Sequence, residues 1–209
     1  GGTGTGAAPV IAKATREAGI LTVAIVTIPF KFEGQKRINQ AIDGINELSQ
    51  YVDSLLVINN EKLREIFGDL KLSEAFGHAD NVLTTAAKGI AEIITVHGYI
   101  NVDFADVQTV MTNSGVAVMG TGVAEGEGRA LKAIEQAVIS PLLNSNDITG
   151  AKSILLNISS GLDEVSMDEV GEITDYLNEL AEEDVQLMWG TSVDKSLENK
   201  VVVTIIATG

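Results

Sequence analysis

The sequence predicts an α/β fold, on three observations. Apolar stretches of strand length alternate with stretches of helical periodicity along the whole chain. The first apolar run, Ile20–Ile28 (ILTVAIVTI), is nearly continuous and rich in β-branched residues, the pattern of a strand covered on both faces in a parallel sheet. One helical pattern, from Ser73 to about Val96, is longer than the others and divides the chain.

Taken in order, GGTGTG at Gly1–Gly6 precedes Ala7–Ala18, with Pro9 near a helix start and Gly19 just past its end, so a glycine loop feeds a helix. The strand Ile20–Ile28 follows. Gly34–Gln50 then places Ile38, Ala41, Ile42, Ile45 and Leu48 on one helical stripe, before a second buried strand at Ser54–Ile58. The long helix has Ser73 as N-cap, turns Ala75, Val82, Ala86, Ile90 and Ile93 or Ile94 inward, and stops at Gly98. A helix at Phe104–Thr112 leads into a smaller α/β unit. Its elements are a strand at Val116–Met119, a helix at Arg129–Ile139, a strand at Ser153–Ile158, a helix at Asp168–Ala181, and strands at Val185–Trp189 and Val201–Ala207. Gly120–Gly128 reads as a glycine-rich loop joining a strand to a helix; Glu125 and Glu127 make it a poor anion site.

Composition narrows the chemistry. A length of 209 residues, 45% hydrophobic content and mean hydropathy of +0.21 describe a globular chain. The net charge of -15, with no basic patch, disfavours nucleic acid and anionic membrane as partners. No cysteine is present, and His78 and His97 lie in no metal-ligand pattern, so any metal is expected to be hard and oxygen-ligated. No apolar run reaches the roughly 20 residues of a membrane span, and the default expectation is a cytoplasmic protein. Trp189 reads as a core residue.

Two segments carry candidate chemistry. Glycines admit close backbone approach, and N–H groups at a helix start attract anions, so GGTGTG can cradle phosphate, with Thr3 and Thr5 adding hydroxyls; the plain alternative is a frayed terminus. Its spacing fits neither GxxxxGK[ST] nor GxGxxG. In NVDFADV (Asn101–Val107), Asp103 and Asp106 stand three residues apart where the long helix gives way to the next. The plain reading makes Asp103 an N-cap with Asp106 at N3, which is compatible with a second role.

GGTGTGAAPVIA resembles the tubulin signature loop in the form used by the FtsZ family, the bacterial tubulin-like cell-division GTPases. FEGQKR (Phe32–Arg37), NVDFADV and the closing VVVTIIATG are similar to that family too, in the same order and over essentially the whole chain. The resemblance implies a tubulin/FtsZ-like fold: part of a Rossmann-like GTP-binding domain at 1–72, a central helix at 73–98 and a smaller α/β activation domain at 99–209.

It also implies roles. Gly2, Thr3, Gly4, Thr5 and Gly6 would hold phosphates, and Glu33 and Arg37 the ribose and phosphate side, an i,i+4 salt bridge being the plain reading of that pair. Phe76 and Asp80, one turn apart, would pack against and hydrogen-bond guanine. A carboxylate accepts from N1–H and the exocyclic amine together, which adenine does not offer; Asn81 is the weaker candidate. For Phe76 alone, core packing is the plain reading. Asn101, Asp103 and Asp106 would complete the active site of a neighbouring subunit in a head-to-tail filament, orienting water beside the γ-phosphate of a magnesium-bound nucleotide. GTP/GDP and Mg2+ are therefore the expected ligands, and the division site the expected location.

The family carries further strands and phosphate loops ahead of the signature loop, and a linker and terminal peptide after the last strand. The expectation is therefore an uncovered edge at Ile20–Ile28, met by a separate chain or swapped copy supplying the N-terminal portion. Another reading is a nucleotide-free fragment or assembly module that caps filaments through its C-terminal domain. Related tubulin-like roles in archaeal or organellar division or in plasmid segregation fit NVDFADV and FEGQKR less closely.

Overall fold

A computed structural model describes residues 2–66, 68–69, 71–95, 98–139, 148, 150–181 and 184–209. The strands are β1 (Val23–Ile28), β2 (Ser54–Asn59), β3 (Gly115–Glu125), β4 (Ser153–Ser160), β5 (Gln186–Val193) and β6 (Lys200–Thr208). The helices are α1 (Gly2–Glu17), α2 (Gln35–Leu48), α3 (Asn60–Ile66), α4 (Leu72–Thr95), α5 (Phe104–Met111), α6 (Arg129–Val138) and α7 (Met167–Leu180). His97 lies outside the described residues.

The strands form one mixed sheet in the order β1-β2-β3-β6-β4-β5. β1, β2 and the first residues of β3 run parallel, from Val23 beside Ser54 to Leu56 beside Ala117. From Val118 onward β3 pairs antiparallel with β6 instead. One long strand thus joins the two halves of the sheet through the backbone.

Alternation along the strands sorts the core into two layers. Ile154, Leu156, Ile158, Val203 and Ile205 face α6 and α7, where they meet Ile134 and Ile173. Leu155, Ile206 and Met119 face the other way, against Ala86 and Ile93 of α4 and Val107 and Met111 of α5. Within α4 the inward choice falls on Ile93, which is buried, while Ile94 is exposed.

Four expectations need correction. The glycine run is not a loop: α1 begins at Gly2, and Pro9 is buried inside it. Tertiary packing overrides the weak helix propensity of glycine here. Gly2 lies beside Gln40 of α2, and a Cβ on Gly44 would run into the Thr5 methyl, so the run is laid along α2 as a helix. Gly120–Gly128 is not a loop throughout either, because Gly120 and Gly122 belong to β3. Side chains there would collide with the carbonyls of Ala137 and Ala133, so the two glycines let α6 lie directly on the strand. β1 is only half-buried along its length, since it is an edge strand paired with β2 alone among the described strands. Ser73 is a helical residue of α4 rather than its cap, and Glu74 accepts the Lys71 N–H at 3.1 Å.

Candidate functional site

In a parallel sheet each helix returns against its strand, so α1 and α2 both start at the carboxyl ends of β1 and β2, the edge where α/β sheets bind ligands. Gly2 faces Gln40 and Thr5 faces Gly44, so the two helices run side by side in register. Arg37 stands three residues before Gln40 on the same face of α2. The start of α1 carries the positive end of the helix dipole. No neighbouring atom lies within 4 Å of where a Cβ would stand at Gly4 or Gly6, so both glycines face open space. The run expected to hold phosphate is thus the first turn of a helix rather than a loop, with Thr3 exposed and Thr5 half-buried.

Beyond β1 the chain turns through a short 3-10 segment, Lys31–Glu33. Glu33 accepts the Phe30 N–H at 3.1 Å and the Arg37 guanidinium at 2.9 Å. Both the plain salt bridge and a fixed orientation for Arg37 follow, and the guanidinium itself stays 70% exposed.

Three aromatic rings bring this segment to the start of α4. Phe30 and Phe32 stack with centroids 4.9 Å apart, and Phe76 meets both edge-on, at 5.6 and 6.2 Å. Phe30 is buried and anchors the group, whereas Phe32 is 52% and Phe76 41% exposed, so an apolar face is offered to a planar ring. A cavity of about 160 Å³ opens between Phe30, Phe32, Leu63, Ala75 and His78. Asp80 is exposed one turn further along the same helix. The part played by Phe30 and Phe32 escaped the sequence reading, since only the fold shows that FKF meets a residue more than forty positions later.

The acidic loop lies past the other end of α4. Asp103 accepts the Ala105 N–H, and Asp106 accepts the Asp103 N–H, each at 3.4 Å, so Asp103 is the expected N-cap with Asp106 at N3, and the two close a capping box. Asn101, exposed, bends back along its own loop to accept the Gly98 N–H at 2.8 Å. Asp103 is exposed and Asp106 half-buried. From Phe76 to Thr95 the helix rises about 28 Å, so the acidic pair and the aromatic face belong to opposite ends of the molecule. The structure joins Glu33 to Arg37 and sets Phe76 against Phe30 and Phe32, with Gly2 and Thr5 lying against α2; Asp80 stands one turn beyond Phe76, and Asn101, Asp103 and Asp106 follow the far end of α4.

Among the described residues, no cluster of three or more His, Asp or Glu side chains is arranged to hold a metal ion. No helix among them is long and apolar enough to cross a membrane.

Comparison with known proteins gives consistent matches. The family model for the GTPase domain of the tubulin/FtsZ family matches residues 1–68, and that for the C-terminal domain of the FtsZ family matches residues 115–209. The cell division protein FtsZ of Porphyromonas gingivalis is 51% identical over 210 residues, covering 100% of this chain and 46% of that protein. FtsZ of Buchnera aphidicola subsp. Baizongia pistaciae is 50% identical, covering 100% of this chain and 54% of that protein. The chain therefore spans about half the length of the curated relatives it matches. Among solved structures, an empty FtsZ dimer from M. jannaschii superposes with a TM-score of 0.93 at 44% identity, over 100% of this chain and 60% of that one. GDP-bound monomeric CetZ1 from Haloferax volcanii has a TM-score of 0.77 at 19% identity, over 99% of this chain and 61% of that one, a likeness of fold alone.

Proposed function

Because this chain belongs to the FtsZ family, we propose that it is part of a tubulin-like GTPase that assembles head-to-tail into cell-division filaments and hydrolyses GTP between subunits. The observation that carries this reading is the separation along α4: an exposed aromatic face at one end and a capped acidic pair past the other. Stacking one subunit on the next joins the two halves of the site.

In this reading Gly2, Thr3, Gly4, Thr5 and Gly6 at the start of α1 hold the phosphates, and Arg37, oriented by Glu33, neutralises charge beside them. Phe76, backed by Phe30 and Phe32, stacks on the guanine ring, and Asp80 accepts from its Watson–Crick edge. Asp103 and Asp106 of one subunit orient and polarise a water molecule in line with the γ-phosphate held by the next, Asn101 shaping the loop that delivers them. A magnesium ion, when bound, would be held mainly by the phosphates and would offset their charge.

The domain division at 1–72, 73–98 and 99–209 follows the same logic, with α4 as the spacer. The N-terminal portion of the nucleotide-binding domain is supplied from outside these 209 residues, and the open edge of β1 is where it pairs. Action at the division site follows from filament formation.

The test uses the full-length protein containing this chain. Asp106→Ala should leave GTP affinity within about twofold and lower turnover at least tenfold, since general-base and water-positioning groups contribute roughly 100-fold or more. Loss of binding with unchanged turnover per bound GTP would overturn the assignment of that loop.

A further inference from the structure

We propose that β5, through Gly190 and Thr191, sets the position of the acidic loop, so that these two act as positioning residues for hydrolysis in the neighbouring subunit. The proposal rests on the function given above.

The loop follows α4 in sequence, but its hydrogen-bonded anchorage is to β5. The Thr191 N–H donates to the Ile100 carbonyl at 2.7 Å, and the Ile100 N–H donates to Thr191 Oγ1 at 3.3 Å. β5 pairs with β4 on its other side, so the loop takes the free edge of the sheet in the manner of an added strand. Two glycines make the approach possible. A Cβ on Gly98 would collide with the Thr191 carbonyl, and one on Gly190 would stand 2.9 Å from the Ile100 carbonyl and 3.0 Å from the Val102 N. Gly190 is buried, so a methyl group there must push the loop outward.

Two residues separate Ile100 from Asp103, and the loop around them closes on itself through the Gly98–Asn101 bond and the Asp103–Asp106 cap. A displacement at Ile100 is therefore carried to the carboxylates. The position of the acidic pair is coupled to the sheet that carries α6 and α7, and the end of α4 has to follow it.

In the full-length protein, Gly190→Ala should lower kcat about tenfold, because displacements of less than 1 Å in an aligned site have effects of that order. KM, GTP affinity, melting temperature and polymer yield with a non-hydrolysable GTP analogue should stay near wild type. Thr191→Val, which removes the acceptor of the Ile100 N–H, should lower kcat about threefold, with Thr191→Ser restoring it. Should Gly190→Ala fail to fold, the Thr191 pair decides alone. Unchanged kcat in these variants, while Asp106→Ala is impaired, overturns the positioning role and leaves the function standing. Unchanged kcat in Asp106→Ala overturns both.

Discussion

The Arg129 guanidinium is held by four hydrogen bonds and an ion pair. Nε and Nη2 donate to Glu169 at 2.6 and 3.2 Å, Nη1 to the Asn199 carbonyl at 2.9 Å and Nη2 to the Glu164 carbonyl at 3.2 Å, while Nη1 pairs with the Asp163 carboxylate at 2.9 Å. One side chain thus ties the start of α6 to the N-cap of α7, where Glu169 also accepts the Ser166 N–H, and to the start of β6. Lysine cannot reproduce this planar fork, so Arg129→Lys should destabilise the fold by on the order of 2–3 kcal/mol, read as a lower denaturation midpoint with unchanged slope. Hydrogen bonding from Arg129 holds the Glu169 carboxyl below its ordinary value of 4.5 and raises Arg129 in turn. A depressed carboxylate contributes stability that is present above the unfolded pKa and lost as pH falls through the folded one. Glu169→Gln should therefore flatten the acid side of the stability curve below about pH 4.5, as followed by thermal melts across pH.

At the level of elements, the capping box and the proposed chemistry use the same two carboxylates at the start of α5. Asparagine caps a helix about as well as aspartate, so Asp103→Asn separates the two roles. Its expected outcome is stability within about 0.5 kcal/mol of wild type and a clear fall in turnover; Asp103→Ala should lose both. The order of the longer helices and strands was legible in the sequence because it rests on periodicity, as in Ile38 to Leu48 or Ser54 to Ile58, whereas the seven-residue α3 is too short to show a period and was missed. The glycines were misread for a physical reason. Gly120 and Gly122 carry no local mark distinguishing a turn from a strand pressed under a helix, and that distinction depends on α6, which follows in sequence. Gly2–Gly6 likewise became helical through contacts with α2 some forty residues away. Gly122→Ala should consequently cost on the order of 3 kcal/mol, where a loop glycine would cost little. The acidic pair and FEGQKR were legible through their resemblance to the family, whereas the aromatic partners of Phe76 and the β5 anchor were not, since each contact joins residues far apart in sequence.

Across the whole molecule, α4 acts as a spacer. A 24-residue helix, roughly 36 Å long, is too rigid to fold the acidic loop back to Phe76 and Asp80 within one subunit. If the two ends work together, they must do so between subunits, and defects at opposite ends should complement each other. On the proposed function, full-length Asp80→Ala should keep its loop but bind GTP weakly, because guanine would lose its paired acceptor; Asp106→Ala should bind GTP but deliver no working loop. Mixed in equal amounts at a GTP concentration that fills only the Asp106→Ala subunits, half of the neighbours of each loaded pocket present an intact loop. Turnover per loaded pocket should therefore rise above that of either variant alone, towards about half the wild-type rate if neighbours mix at random. A mixture no more active than the sum of its parts would mean that the loop serves its own subunit. The spacer geometry of α4 would then have no part in catalysis.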